Sequence, residues 1–473
     1  MPGLIQSLET GKRALVSNQT ALSTSEHNIA NVNTPGYTRQ EVILEATPPY
    51  FTSIGGLGTG VQTSDIRRVK DLYIDSQIQK QQNALGELEV RQTYLRQIES
   101  ALNEASAPGL EKAMSEFFGA YRALAENPAG LGERKVVREK ATQLINTFKR
   151  TSLILHQADF SARADIEDTV SQVNAYAEEI ARLNQAISGK GGKANDLKDR
   201  RDKLLEDLSR LVDIETLDYG DSLTVYVGGK ALVDGSTAKS LVYRGGSRSG
   251  DVQIAFRDGT YYEDITNRVR GGKLGGLVEV VQKDIPSYLS QIDHLAFVLG
   301  GEVNVIHRQG YDLAGQTGQP FFVLAKPDQK TEQDASRFLE LAEPIKRSEG
   351  AIAAATTKQG LPGDNRTALA IAGLWNNQVI VNPGSRDAKT FSEYLGGVVS
   401  DVGGKMQRLE AEQKTTQGVL EQLATQRDSV SGVSLDEEMI TLTRYQRAFQ
   451  AASQSLIVTQ TMFDSLLGIV RGS

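Results

Sequence analysis

Apolar residues recur at every seventh position at both ends of the chain. Near the C-terminus the row is Leu435, Leu442, Phe449, Leu456, Phe463 and Val470; near the N-terminus it is Leu8, Leu15, Leu22 and Ile29. A row spaced by seven stays on one helical face, drifting about 20° per heptad, so each end is expected to offer a seam to another helix. Both rows are narrow, with Asn18 and Ser25 beside the first and Gln446, Ser453 and Gln460 beside the second. No charged residue lies between Ala448 and Phe463. A helix packed only on its own core carries charge on its outer face, so this one is expected to touch neighbours on more than one side. Two such helices at opposite ends favour packing on each other and on other subunits.

Between the ends the pattern predicts a mainly α chain with a small antiparallel β unit. Residues 3–31 read as a helix that stops at Asn33-Thr34-Pro35-Gly36-Tyr37, where Pro followed by Gly suits a type II turn. Residues 38–66 read as an extended arm with a short hairpin. Helical spacing returns from about 69 to 107, over 110–126, from 131 into the 180s, and from Asn195 to Val212. Between Asp213 and Ile265 the period becomes two, giving about five short strands separated by glycine turns. A helix follows through Leu289, Ile292, Leu295, Leu299, Val303 and Ile306, with Pro286 at a kink or first turn. Residues 310–363 read as irregular, and two more helices cover about 388–428 and 435–470. The chain thus divides into 1–67, an N-terminal helix and arm; 68–434, a helical domain with the β unit at about 213–265; and 435–473, a C-terminal helix pairing with the first.

Composition narrows the chemistry. The 473 residues contain no cysteine, which excludes disulfides, thiolate metal sites and a cysteine nucleophile. The net charge of −7 offers no basic footprint for nucleic acid. No window has the run of apolar residues that a membrane span needs, and residues 1–30 contain no cleavable-signal core. Glycine–lysine pairs are frequent, but none is followed by the Ser or Thr of a phosphate-binding loop. The four histidines are dispersed. His307, Asp312 and Asn304 are a conceivable ligand group, but a helix end followed by a glycine-rich loop is the favoured explanation of the same residues. Asp196, Asp199 and Asp202, interleaved with Lys198, Arg200, Arg201 and Lys203, read as a solvated helix face whose first turn suits the dipole. No catalytic, metal or cofactor site is expected.

The stretch from Asn28 through Asn31, Asn33, Thr34, Pro35, Gly36 and Tyr37 to Gln40 resembles the N-terminal signature of bacterial flagellar axial proteins, and its Tyr37-Thr38-Arg39-Gln40 ending resembles the hook-associated branch. Gly58-Thr59-Gly60-Val61 with Ile66-Arg67-Arg68, the segment Asn195–Asp202, the segment Asn304–Phe322, and Gly432–Glu438 with Tyr445-Gln446 and Phe449–Ala452 are similar to further segments of that branch. The resemblance spans essentially the whole chain. It implies paired terminal helices as an inner domain, surrounded by a helical domain. The short stretch at about 323–361, where larger relatives insert an outer β domain, implies that this domain is absent or vestigial. It further implies a structural, non-enzymatic component of the extracellular flagellum, forming a ring of copies at the junction of hook and filament. The implied partners are the hook protein, a second junction protein and an export chaperone at the C-terminal region, with type III export and neither nucleic acid nor membrane insertion. A sibling hook or distal rod protein is the nearest alternative. A muramidase sharing the N-terminal motif would need a compact catalytic domain, and a secreted protein acting on host cells is more remote.

Overall fold

A computed structural model describes residues 2–52, 55–102, 109–190, 194–220, 222–246, 250–324, 332–381 and 387–471. The chain is mainly helical with small antiparallel sheets, and it divides into two compact units. The first comprises Met1–Ala84, Val173–Ser240 and Thr416–Ser473; the second comprises Leu85–Gln172 and Leu241–Thr415. The segmentation into 1–67, 68–434 and 435–473 does not coincide with these units, because residues distant in sequence contribute to each.

In chain order, α1 (Pro2–Ala30) leads into strands β1 (Gln40–Ala46), β2 (Tyr50–Thr52), β3 (Gly55–Leu57) and β4 (Val61–Arg68). Helices α2 (Leu72–Leu102), α3 (Leu110–Glu126), α4 (Leu131–Ser188) and α5 (Asn195–Leu211) follow. The strand region holds β5 (Glu215–Asp218), β6 (Leu223–Val227), β7 (Lys230–Asp234), β8 (Thr237–Ala238), β9 (Ser240–Gly245), β10 (Val252–Asp258) and β11 (Tyr261–Asp264). Then come α6 (Gly272–Glu279), α7 (Ile285–Gln309), the short α8 (Ala335–Phe338) and α9 (Glu343–Arg347), α10 (Arg366–Gly373), α11 (Phe391–Ser431) and α12 (Leu435–Arg471).

In the first unit the arm is one long hairpin carrying another. β1 pairs with β4 from Gln40↔Arg68 to Ala46↔Val61, with a register shift after Ile43, and β2 pairs with β3 at the tip. The turn before it forms as its residues dictate. Tyr37 N–H donates to Thr34 O at 3.1 Å, and Gly36 at φ +80° supplies the left-handed position of a type II turn. The expectation of a single five-stranded unit is corrected here: seven strands form two sheets. β5-β6-β7-β8 is one sheet, in the first unit, and β9-β10-β11 is another, which belongs with Leu241–Thr415 to the second. Period-two spacing marks strands but says nothing about which ones pair. The four-stranded sheet buries Leu223, Val225, Val227, Leu232 and Val233. It is tied to α4 by Asn184, whose amide donates to Leu223 O and Gly235 O, both at 2.8 Å.

The second unit is built round aromatic rings. α3 turns Phe117, Phe118, Tyr121 and Leu124 inward at helical spacing, and all are buried. Phe117 packs on Phe321 and Phe322 at 5.8 and 5.6 Å between centroids, while Phe118 stacks on Phe391. The irregular stretch after α7 belongs to this core rather than to an appended loop. Ile345 and Ile352 are fully buried, and Asp293 on α7 accepts hydrogen bonds from the backbone of Asp334 and Ser336. Pro286 stands in the first turn of α7, directly after a π-helical turn at Val280–Asp284. α6 meets α2 closely at Gly276, where an added Cβ would lie 2.9 Å from Glu87 O.

Candidate assembly interface

α1 and α12 lie side by side and antiparallel. Gly11 sits against Leu456, where an added Cβ would be 3.3 Å from Cδ1, while Ser25 and Asn28 reach Glu438 near the start of α12. The centre of the seam on α1 is Ser17, Ala21, Thr24, Ser25 and Asn28, all buried. Leu8, Leu15, Leu22 and Ile29 flank that line and are half-buried. The spacing of 17, 21, 24 and 28 is itself a helix-contact row, offset by one residue from the leucines. Small side chains there let the helix axes come close, since interaxial distance follows the residues at the contact. On α12, Leu442, Phe449, Leu456 and Phe463 are half-buried, Leu435 is 47% exposed, and the Val470 side chain lies outside the described residues. Elsewhere on its surface α12 leaves Met439, Ile440, Ile457, Val458, Met462 and Leu466 exposed.

Asn28 is the hub of the turn region. Its Nδ2 donates to Gln40 O at 2.9 Å and Glu438 Oε1 at 3.1 Å, and its Oδ1 accepts from the Tyr37 hydroxyl at 2.7 Å and Gln40 N–H at 3.0 Å. That uses the full capacity of one carboxamide. Ser25 donates to the other Glu438 oxygen at 2.8 Å, so this buried carboxylate is held by neutral donors. Asn31 and Thr34 close the end of α1: Asn31 donates to His27 O, and Thr34 donates to Asn31 Oδ1. Asn33, Pro35 and Gly36 are exposed. Burial, then the nearby carboxylates of Asp196, Asp199 and Glu438, push the Tyr37 hydroxyl well above its ordinary range, so it remains a donor.

Of the α5 aspartates Asp196 is exposed, but Asp199 and Asp202 do not lie on a solvated face. Asp199 is buried and Asp202 largely so. Arg68 donates to Asp199 at 2.8 Å and Asp202 at 2.6 Å, Lys70 pairs with Asp202, and Thr38 N–H donates to Asp199. Burial opposes the charge on Asp202, but Lys70 and Arg68 outweigh it and hold its carboxyl below the usual range. For Asp199 burial prevails and pushes the carboxyl up. Asn195 completes the join, donating to Ile66 O and Gln40 Oε1. The correction has a plain cause: i,i+3 spacing fixes a helix face, while the arm that covers it comes from more than 120 residues away. The available signal was that Arg68 and Asn195–Asp202 both fall in segments carrying the family resemblance.

His307 is fully occupied by the fold. Its Nδ1 bonds Gln319 O at 2.8 Å and its Nε2 accepts from Ala353 N–H at 2.9 Å, while burial lowers its pKa to about 4. Asn304 likewise spends its amide on the Phe321 and Phe322 backbone. Among the described residues no group of three or more His, Asp or Glu is placed to hold a metal, and no helix is long and apolar enough to cross a membrane.

Comparison with known proteins agrees with this architecture. Residues 95–322 match the model of the flagellar hook-associated protein FlgK helical domain, and residues 424–469 match the flagellar basal body rod FlgEFG protein C-terminal model. Flagellar hook-associated protein 1 of Bacillus subtilis (strain 168) is 29% identical, over 99% of this chain and 98% of that protein. The Escherichia coli (strain K12) protein of the same name is 28% identical, over 99% and 100%. The solved structure of the flagellar hook junction protein FlgK from Burkholderia pseudomallei shares the fold, with a TM-score of 0.66 at 16% identity, covering 75% of this chain and all of that one. A helical middle between axial-type ends defines a structural component of the bacterial flagellar axis. Within that class the chain is similar to flagellar hook-associated protein 1 along nearly its whole length.

Proposed function

We propose that the chain is a non-enzymatic junction protein, copies of which form a ring joining hook to filament. The observation that carries this reading is the terminal-helix pair. Its heptad rows are only half-buried within one chain, and α12 leaves further apolar side chains exposed that other copies and axial neighbours would cover. Leu8, Leu15, Leu22 and Ile29, with Leu442, Phe449, Leu456 and Phe463, then serve both the intramolecular pair and the subunit contact, while Leu435 and Val470 extend the row at either end. The neighbours are the hook protein on one side and a second junction protein on the other. Export proceeds through the flagellar type III apparatus without a cleaved signal, and a chaperone covers the C-terminal region beforehand, because an apolar helix face exposed in a free chain invites aggregation. The outer domain of larger relatives is reduced here to the short stretch after Phe322.

The rod-type match at 424–469 also suits a sibling hook or rod protein, but the hook-associated helical-domain match over 95–322 favours the junction. Deletion and complementation test the reading. Cells lacking the chain are expected to assemble hooks and shed their filaments, with attachment restored by the plasmid-borne gene. Filaments that stay on their hooks in the deletion strain refute it.

A further inference from the structure

Two apolar features of the first unit face away from its core. One is the tip of the arm, where β2 and β3 present Tyr50, Phe51 and Leu57. Phe51 is 77% exposed even though its ring lies over Gly56. The root beneath it is fixed. The Thr47 and Thr59 hydroxyls are 2.6 Å apart, Thr59 reaches Pro48 O, and Thr47 N–H donates to Gly60 O. No charged residue lies between Glu45 and Asp65. The other feature is a shallow groove lined by Leu4 of α1 and by Val458, Met462 and Leu466 of α12, with Thr461 and Ser465 at its margin. Met462 is 56% exposed. The groove's described lining comes from the two terminal helices alone.

We infer that the hairpin tip of one copy seats in the terminal-helix groove of the next. The inference rests on the proposed junction role and names the contact through which copies join. Each chain carries one knob and one hole, on different elements, so the contact is heterologous. Such contacts propagate head to tail and close into a ring when the rotation per copy permits. The tip falls in a charge-free stretch and the groove's described lining is uncharged, with Asp464 exposed beside it, so docking strips water from apolar groups without burying a lining ion. A methionine in the groove adapts to the shape of an inserted ring, and the hydroxyls of Thr461 and Ser465 offer partners to a Tyr50 hydroxyl. The groove is also continuous with the α1–α12 seam assigned above to subunit contact. A membrane surface is a poor occupant, because the tip has no basic residue to meet anionic headgroups.

The absence of cysteine makes the test clean. Phe51→Cys and Met462→Cys are combined in one chain, expressed in cells lacking their own copy, and joined by a short thiol cross-linker in isolated flagella. A ladder of covalent multimers is expected. Each single variant should stay monomeric, as should Phe51→Cys combined with Leu153→Cys, which places the second thiol in the other unit. An incorporated double variant that keeps its filaments but gives no ladder overturns the contact and leaves the junction role standing. A ladder from Phe51→Cys alone overturns it too, since that would be tip-to-tip pairing. Filaments retained in the deletion strain overturn the junction role, and the inference with it. Independently of cross-linking, Phe51→Asp should lower incorporation at least tenfold with the circular dichroism of the purified chain unchanged. Normal incorporation of Phe51→Asp refutes the inference.

Discussion

The aromatic core of the second unit and the helix seam of the first solve opposite problems. Phe117, Phe118, Tyr121, Phe321, Phe322 and Phe391 are shut away from solvent and interlock with one another. The seam has serine, alanine, threonine and asparagine at its centre, leucines on its shoulders and exposed methionine, isoleucine and valine outside. One region finishes its hydrophobic burial within the chain; the other leaves part of it undone. On the proposed junction role, a surface of the second kind serves contact with other molecules.

The largest expected effect comes from putting charge on the seam. Leu442→Asp together with Leu456→Asp should abolish incorporation into flagella, while the unfolding of the second unit, followed by the near-ultraviolet signal of its aromatic residues, stays unchanged. Normal assembly of that variant would show that the row is no subunit contact. Next, Phe117→Ala empties a site at the middle of the aromatic cluster and should cost about 3–5 kcal/mol by urea denaturation. If the loss is under 1 kcal/mol, the contrast between the two regions collapses.

A third effect is a pH dependence belonging to the second unit. His307 titrates near 4 when folded, against an ordinary value of 6.5, because burial disfavours its charged form. Between those values the unfolded chain takes up a proton that the folded chain refuses. Stability from this residue is therefore complete above about pH 6.5 and falls as pH drops toward 4, by about 3 kcal/mol in all. Denaturation curves across that range should show the slope, and His307→Gln should flatten it. The smallest effect is Asn28→Ala, which strands Glu438, the Tyr37 hydroxyl and the Gln40 backbone for about 2 kcal/mol. It should loosen the arm and the α12 start, read as faster amide exchange at Gln40 and Glu438, without altering the second unit.

Most helices were readable from spacing, because a helix is specified by neighbours three and four residues away. α3, α4 and α5 fall where their periodicity puts them, and Gly36 takes the backbone conformation its turn requires. The terminal rows were visible as well, but the true centre of the α1 contact was not. Ser17, Thr24 and Asn28 look polar in a sequence and become interior only when Glu438 and Gln40 arrive. Asp199 and Asp202 read as solvated for the same reason, since their cations lie on the arm. The division of the strands into two sheets depended on partners that local pattern does not name. What escaped the sequence was long-range pairing of polar groups.

Ser25 and Glu438 meet across 413 positions of chain. Closing a loop of that length costs about 5 kcal/mol of entropy, and the closure cannot begin until the far end exists. During synthesis, which runs from the N-terminus, α1 is made first and waits for nearly the whole chain. The seam therefore comes into being only with α12, and a fragment stopped anywhere short of it has no seam at all. Completeness is a condition written into the geometry: a broken or unfinished copy lacks the seam through which, on the proposed junction role, copies join.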